Sequence, residues 1–238
     1  MEQKKGNQAF VLGFFIFLGL TSLGFFLSQA AIDFKSFERS VKVKGLSERE
    51  FPADVVIWPI QFIEADNQLQ TLYDSLENSS AKIRQFLLKS GVDAEEITVS
   101  APIITDKLAN QYGNQQAKFR YSAIQTVTVY SKKVNHIRSL MNKLADLGKQ
   151  GIAFTAGDYQ NQVEYLFTRL NEVKPEMIQE ATTKAREVAF KFAEDSSSQL
   201  GKIKKASQGR FSIMPRDQNN PHIKKVRVVS TVEYYLSD

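Results

Sequence analysis

The sequence predicts an α+β protein in which helices pack on one face of a largely antiparallel sheet, preceded by one N-terminal transmembrane helix. Three observations indicate this class. An uncharged stretch of nineteen residues lies near the N-terminus, and strand-like alternation then mixes with three- and four-residue helical spacing. Short polar stretches join neighbouring strand-like runs. Hairpins mixed with helices of this length are typical of α+β domains.

The N-terminal segment decides the predicted location. Residues 9–27 carry no charge, and a helix of about 1.5 Å per residue over this length comes close to the roughly 30 Å hydrocarbon thickness of a bilayer. Lys4 and Lys5 precede it, and positive flanks favour the cytoplasmic side. We therefore expect a single-pass protein of the bacterial inner membrane, with a cytoplasmic N-terminus and a periplasmic C-terminal domain.

The expected organisation has three parts: an anchor over residues 1–32, a tether over 33–40 and an exported α+β domain over 41–238. A cleaved signal peptide is the alternative, since Ser28-Gln-Ala30 offers a small-x-small site. The apolar stretch is longer than the 7–15 residues or so of a typical signal peptide, which favours the uncleaved anchor. A buried core helix fits least well, because the stretch is apolar on every face.

The elements of the exported part follow from changes in periodicity. Strands are predicted over residues 39–47, 54–64, 96–105, 119–131, one or two within 151–167, 202–214 and 223–236. Helices are predicted from Asp66 to a stop at Gly91, over 133–148, and from Pro175 to Leu200 and Gly201. Pro59 requires a bulge or an edge within its strand. The polar stretch 106–118 is expected to be a hairpin loop.

The last helix has an inner stripe of alanines four residues apart, which lets a helix lie close against a sheet. The stripe consists of Ala181, Ala185, Ala189 and Ala193, flanked by Val188 and Phe192. A weak internal repeat of two β-α-β-β units is also expected. Its first copy contains Gly91, Asp106 and Thr126-Val127, and the corresponding residues of its second copy are Gly201, Asp217 and Thr231-Val232.

The composition argues against catalysis. The chain has no cysteine and two histidines, and it contains no nucleophile elbow, phosphate loop or zinc-protease motif. His136 is expected on a helix surface or core edge, and His222 lies near Asp217 without an obvious nucleophile. We expect no enzymatic activity, no catalytic residue, no metal site and no cofactor.

One charge feature stands out. Residues 202–227 hold eight basic residues and one acid, a net +7, in a chain whose total is +5. The candidate contacts for an anionic ligand are Lys204, Lys205, Arg216, Lys224, Lys225 and Arg227. The favoured explanation is that lysines keep edge strands from pairing with other chains. The alternative is an anionic partner such as phospholipid headgroups, at about 1 kcal/mol per nearby cation. Nucleic acid is not expected on the periplasmic side.

Several segments together resemble the SIMPL-domain family. Residues 41–47, VKVKGLS, followed by Pro52-Ala-Asp54, resemble its V-x-G-x-G…P-D opening, with Ser47 in place of the second glycine and Ala53 splitting the Pro-Asp pair. The alanine-spaced helix ending in Leu200-Gly-Lys-Ile203, the segment 96–102 and the ending 221–234 complete the resemblance, the last as in a membrane-anchored subgroup. The resemblance covers residues 40–236.

The resemblance implies an exported α+β domain without established enzymatic activity. In some members this domain assembles into large rings. Bacterial members include periplasmic immunogenic and oxidative-stress-defence proteins. We therefore expect a non-enzymatic envelope protein that forms a homo-oligomer and contributes to envelope integrity or stress tolerance. The alternative is a module that binds anionic lipid or another envelope ligand through the basic 202–227 hairpin. Trp58 is a possible contact residue, although burial in the core is the better expectation for it.

Overall fold

A computed structural model describes residues 2–36, 39–109, 118–155 and 162–237 of the chain. The helices are α1 (Glu2–Ser36), α2 (Leu69–Lys89), α3 (Val134–Met141), α4 (Leu144–Gly148) and α5 (Leu170–Asp195), with a 3-10 turn at Ala94–Glu96. The strands are β1 (Ser40–Pro52), β2 (Val55–Asp66), β3 (Ile97–Val99), β4 (Ile103–Asp106), β5 (Tyr121–Ser131), β6 (Ala153–Phe154), β7 (Glu164–Leu166), β8 (Gln199–Gln208), β9 (Ser212–Pro215) and β10 (Ile223–Ser237).

The predicted α+β class is confirmed. One sheet has the order β1-β10-β8, with β9 also paired to β10, and the other has the order β3-β5-β2-β6, with β4 on β5 and β7 on β2. Every strand pair whose register is described is antiparallel. The chain forms two compact units. Unit 1 comprises Met1–Glu48, Val173–Ser212 and Arg227–Asp238, and unit 2 comprises Arg49–Glu172 and Ile213–Val226.

The N-terminal apolar helix predicted from the sequence is present as α1. Its stretch Leu12–Ala30 has a mean hydropathy of 1.7 and no buried residue, so its length and composition suit either a membrane span or a signal anchor. The Thr21 hydroxyl donates to the Phe17 carbonyl at 2.6 Å, which satisfies this polar group within the helix. The helix continues to Ser36, into the segment predicted as a tether.

Unit 2 is built on the long pairing of β2 with β5, which runs without a register shift from Val56↔Ser131 to Asp66↔Tyr121. Pro59 lies opposite Thr128 in this ladder, so it needs no bulge. On the other side of β2, β7 pairs with residues 55–57 and β6 with residues 62 and 63. Among the described residues Pro59 therefore has no ladder partner on that side, where its missing N–H breaks no hydrogen bond.

The core of unit 2 joins this sheet to α2. Four helix residues spaced four or seven apart are buried, namely Leu72, Leu76, Ile83 and Leu87. The expected burial of Trp58 is met, since it is 4% exposed. Gly91 follows the helix with a φ of 88°, which agrees with the predicted stop.

Two elements of unit 2 differ from prediction. The helix expected over 133–148 is broken into α3 and α4 at residues 142 and 143, and the strand expected over 96–105 is divided into β3 and β4. Pro102 lies in the second gap, where its ring removes a backbone donor. Most of the predicted hairpin loop, residues 110–117, lies outside the described residues. Its flanks β4 and β5 pair antiparallel, as a hairpin requires.

In unit 1, α5 covers one face of the sheet formed by β1, β10 and β8. The alanine stripe predicted from the sequence is buried, with Ala181, Ala185 and Ala189 at 0% exposure. A Cβ placed on Gly45 of β1 would overlap the backbone of Ala181 and Ala185, so helix and strand are in very close contact here. The predicted pairing of the two C-terminal strands is confirmed by the β8–β10 ladder, which runs from Ser230↔Gln208 to Ser237↔Gln199.

The predicted limits and flanks of the last helix are wrong. The helix α5 starts at Leu170, before Pro175, and ends at Asp195. Ser197 then adopts a left-handed φ of 54°, so the chain has already turned before Gly201, which lies in β8.

The expected flanks of the alanine stripe, Val188 and Phe192, are 41% and 56% exposed. Their exposure follows from the close contact between α5 and the sheet, which leaves room only for methyl groups from Ala181 to Ala193 of the stripe. The internal repeat of β-α-β-β units stays a prediction.

Candidate functional site

The sheet of unit 1 has one face covered by α5 and one face that carries exposed cations. In β1, the buried residues Val43, Gly45 and Ser47 alternate with the exposed Lys42 and Lys44. Because successive side chains of a strand point to opposite faces, both lysines project away from α5.

The other strands of unit 1 add cations to the same face. In β10, Val232 and Tyr234 pack against α5 alanines, so Glu233 between them lies on the lysine side. Lys205 of β8 is paired with Glu233 and shares its face. Arg227 is exposed beside the buried Val228. Lys204, next to Lys205, is the extra residue at a bulge in the β8–β10 ladder. We define the basic sheet face as the following five cations: Lys42, Lys44, Lys204, Lys205 and Arg227.

Two acids lie on this face: Glu48, which the alternation of β1 places on the side of Lys42 and Lys44, and Glu233, whose contacts are well defined. The Ser40 hydroxyl donates to Glu233 Oε1 at 2.6 Å, and Lys204 Nζ lies 3.4 Å from the same oxygen. The Ser40 hydrogen bond is the main reason why the pKa of Glu233 is lowered; partial burial opposes it, and the charges of Lys204 and Lys42 assist it. Glu233 therefore stays ionised and offsets part of the positive charge of the face.

The six predicted contact residues are divided between the two units. Lys204, Lys205 and Arg227 belong to unit 1, whereas Arg216, Lys224 and Lys225 belong to unit 2. The structure brings Lys204 and Lys205 together around Glu233. That these residues contact an anionic ligand stays a prediction.

In unit 2 the surroundings of two predicted contacts differ from an open cationic surface. Arg216 Nε lies 2.8 Å from Asp217 Oδ2, and its Nη1 lies 3.8 Å from Glu50 Oε2. Lys224 is 8% exposed, and burial lowers its pKa. The negative charge of Glu164 acts in the other direction but does not cancel this effect. Both side chains are therefore engaged within the protein.

Sequence reasoning missed Lys42 and Lys44. They lie outside the 202–227 cluster, so a count of charge along the chain does not reveal them. The signal was present in the alternation of residues 41–45, which places two lysines on one face of a strand whose other face is buried. Combining that alternation with the predicted C-terminal hairpin would have required knowing that β10 lies between β1 and β8.

The two histidines line a different cavity, in unit 2, of about 330 Å³. His136 Nε2 is 2.8 Å from the Ser90 carbonyl oxygen, so this ring helps to hold the chain after α2. The ring of His222 meets the edge of Tyr165 at a centroid distance of 6.0 Å. Burial lowers the pKa of His222, Arg138 and Arg216 lower it further, and Asp217 opposes them.

Asp217 is occupied by its own loop. Its carboxylate accepts hydrogen bonds from Arg216 and from the backbone of Asn219 and Asn220, which is the arrangement of a turn-stabilising aspartate. The Arg216 hydrogen bond is the largest reason why its pKa falls to about 2. Within the described residues, no group of three or more His, Asp or Glu side chains is placed to hold a metal ion.

The comparison with known families agrees with this architecture. The model of the SIMPL family, described as a protein of unknown function (DUF541), matches residues 41–233. The chain therefore belongs to the SIMPL family, as the resemblance of its motifs predicted. No curated protein matches the sequence. The family is not known as an enzymatic one, and an envelope protein is compatible with it.

Proposed function

We propose that this SIMPL protein is a non-enzymatic, membrane-anchored envelope protein whose C-terminal domain faces the periplasm. It self-associates and contributes to envelope integrity or stress tolerance. The observation that supports this is β8, in which nine of ten residues are exposed. Within the part of the chain that is described, β8 pairs only with β10, so its other edge is open.

An open strand edge presents unpaired backbone donors and acceptors to a second chain. Its selectivity comes from two features of β8. Register shifts interrupt its ladder around Tyr234, and lysines at 202, 204 and 205 disfavour pairing along that part of the strand, with a second copy as with any basic partner, so pairing is limited to the rest of the edge. We therefore expect a defined homo-oligomer rather than open-ended aggregation.

The absence of cysteine from the sequence makes a sharp test of self-association possible. Ser207→Cys places a single thiol on exposed β8, and Ser139→Cys places one on the exposed surface of α3 as the matched control. Mild oxidation in native membranes should give a disulfide-linked dimer for Ser207→Cys and little for Ser139→Cys. Mass photometry of the solubilised full chain should show one defined oligomer. A clean monomer at micromolar concentration, without crosslinking at position 207, would refute self-association.

A second function is supported by the basic sheet face. Its five cations exceed the two acids of the same face, Glu48 and Glu233, and β1 begins four residues after α1 ends. A cationic face this close to a membrane anchor suits anionic headgroups, to which each nearby cation contributes about 1 kcal/mol. We propose that this face binds the anionic membrane surface.

Lysine labelling tests whether these cations bind the anionic membrane surface or only keep the sheet soluble and unpaired. The full chain is placed in nanodiscs of phosphatidylcholine, with or without phosphatidylglycerol, and reacted with an amine-specific reagent. Phosphatidylglycerol should protect Lys42, Lys44 and Lys205 at low salt, and the protection should disappear at high salt. Lys82, exposed on α2, is the internal reference. Equal labelling in both discs at every salt concentration would exclude the proposal.

A further inference from the structure

Unit 1 contains a cavity of about 470 Å³ between α5 and the first half of β8. The α5 wall is formed by Thr182, Thr183 and Arg186. The opposite wall is formed by Gly201, Lys202 and Ile203 of β8, with Tyr234 of β10. None of these seven residues belongs to the basic sheet face, which lies on the other side of the sheet.

The cavity exists because one helix is too narrow to cover three strands. The α5 alanines pack against Val43 of β1 and against Val232 and Tyr234 of β10, and these residues form the core of unit 1. β8 lies beyond this contact, and its Ile203 is 50% exposed although it is paired with the buried Tyr234. An apolar floor is therefore left open beside the flank of α5.

The cations of the cavity have no acidic partner among the residues that the structure describes. Arg186 and Lys202 stand on opposite walls, both exposed, and within the described residues neither forms an ion pair or a hydrogen bond. Thr182 and Thr183 add two hydroxyl groups on the Arg186 side. Two cations on facing walls, without an acidic partner among the described residues, and two hydroxyl donors are groups that hold a phosphate, while Ile203 and the ring carbons of Tyr234 offer contact to an apolar moiety.

The cavity lies at the end of the sheet that is attached to the anchor. The Leu236 amide donates to the Arg39 carbonyl at 2.9 Å, and Leu236 and Tyr234 pair with Leu200 and Ile203. The chain from Ala30 to Ser40 spans at most about 9 Å of helix plus about 14 Å of extended backbone. β8 is two strand spacings, about 10 Å, from β1. The offset along β10 from Leu236 to Tyr234 adds about 7 Å, so the cavity is held within about 40 Å of the apolar stretch.

We propose that this cavity binds the headgroup of one anionic phospholipid. The phosphate diester lies between Arg186 and Lys202 and accepts hydrogen bonds from Thr182 and Thr183. The first part of an acyl chain packs on Ile203 and the Tyr234 ring. A soluble phosphate ester could make the same contacts with the cations and hydroxyl groups, but it has no acyl chain to pack on Ile203 and Tyr234. The inference rests on the proposed membrane anchor and goes beyond the second proposed function, because it adds a single lipid site on the opposite side of the sheet from the basic sheet face.

The experiment is native mass spectrometry of the full chain released from a neutral detergent. The probes are dihexanoyl phosphatidylglycerol, dihexanoyl phosphatidylcholine, glycerol 3-phosphate and inorganic phosphate. The test variant is Arg186→Gln/Lys202→Gln. The matched control, Lys191→Gln/Arg210→Gln, removes the same charge from exposed positions of unit 1 outside the cavity. A third variant, Lys42→Gln/Lys44→Gln/Lys205→Gln, alters only the basic sheet face.

We expect one phosphatidylglycerol per chain, with binding at least tenfold weaker in the cavity variant and within twofold of wild type in the matched control. The sheet-face variant should keep the single bound lipid, whereas the labelling of Lys42, Lys44 and Lys205 is read in the wild type, so the two proposals fail separately. Equal binding of phosphatidylcholine, or of glycerol 3-phosphate or inorganic phosphate, would overturn the lipid site. Unchanged binding by the cavity variant would do the same.

Discussion

The close contact between Gly45 and α5 predicts that Gly45→Ala severely destabilises unit 1. The added Cβ would overlap the Ala181 carbonyl oxygen and the Ala185 amide nitrogen, and would lie 3.0 Å from the Ala181 carbonyl carbon. These atoms belong to the helix backbone, so no side-chain rotation relieves the overlap. The helix α5 must move away from the sheet along the stripe of buried alanines.

The expected cost follows from the packing. Inserting one methyl group into a well-packed core costs about 1–3 kcal/mol, and a collision with backbone puts Gly45→Ala at about 3 kcal/mol. This is a large part of the roughly 5–15 kcal/mol by which a domain is stable. For a chain of this size it lowers Tm by about 6–12 °C. It should raise hydrogen exchange across α5 about 100-fold, at about 1.4 kcal/mol per tenfold change.

The assay is hydrogen exchange of α5 peptides together with thermal unfolding of the full chain, followed by circular dichroism. The control is Gly148→Ala, whose Cβ has nothing within 4 Å and which should change stability by less than about 1 kcal/mol. Ala185→Gly should not rescue Gly45→Ala, because the collision is with the Ala185 backbone. Rescue by Ala185→Gly, or a loss below about 1 kcal/mol for Gly45→Ala, would refute the backbone-contact explanation.

Two further predictions concern unit 2. Leu87→Ala removes a fully buried side chain of α2 and should cost about 3 kcal/mol in the free energy of unfolding. The control Leu88→Ala, at a position that is 41% exposed, should cost under about 1 kcal/mol. Equal losses of the two variants in urea titrations would contradict the burial pattern. Asp217 should titrate at about 2 in carboxyl NMR instead of its ordinary 3.8, and Arg216→Gln should raise this midpoint. Because the folded pKa is the lower one, the stabilisation is complete above pH 3.8 and is lost as pH falls towards 2. A midpoint near 3.8 in the wild type would show that the Arg216 contact does not persist in solution.

The sequence predicted the elements of this fold better than their ends. Periodicity located α2 and the Gly91 stop, because a buried stripe and a left-handed glycine both leave local signals. It misplaced the end of α5, because Ser197 rather than Gly201 adopts the left-handed turn. A glycine at 201 serves another purpose: a Cβ there would lie 3.0 Å from the Tyr235 carbonyl oxygen, a tight contact between strands distant in sequence.

The candidate sites show the same limit. A count of charge along the chain found Lys204 and Lys205, but Lys42 joins them only through the strand order β1-β10-β8. The cavity residue Arg186 gave no sequence signal at all, because an exposed arginine on a helix is ordinary. Its significance depends on β8 extending beyond the cover of α5, which is a tertiary property. Ser47 is similar: its hydroxyl donates to Glu180 Oε2 at 2.8 Å, which explains how a serine is accommodated where the family has a glycine.

The aspartate of the family's opening signature provides a final test of whether that signature is structural. Asp54 accepts hydrogen bonds from the Thr168 amide at 2.9 and 3.1 Å and from the Thr168 hydroxyl at 2.9 Å, and Arg169 Nε lies 3.3 Å from Oδ2. Its amide also donates to the Leu166 carbonyl at 2.9 Å. These contacts tie the start of β2 to the segment that joins β7 to α5, and they leave the carboxylate 17% exposed.

This environment fixes the sign of the pH dependence. Burial by itself raises the pKa of Asp54, but the Thr168 hydrogen bonds and the Arg169 charge together lower it below the ordinary 3.8. The contribution of Asp54 to stability is therefore complete above that value and is lost as pH falls through the lower, folded pKa. Asp54→Asn should cost about 1.5–3 kcal/mol at pH 7, because an amide group cannot accept all of these donors. The substitution should also reduce the loss of folding stability that occurs as the pH is lowered. Asp146→Asn, at an exposed pair with Lys149, should cost under about 1 kcal/mol. If urea titrations show equal small losses for both variants, Asp54 is free of a structural role and its carboxylate becomes a candidate for ligand binding.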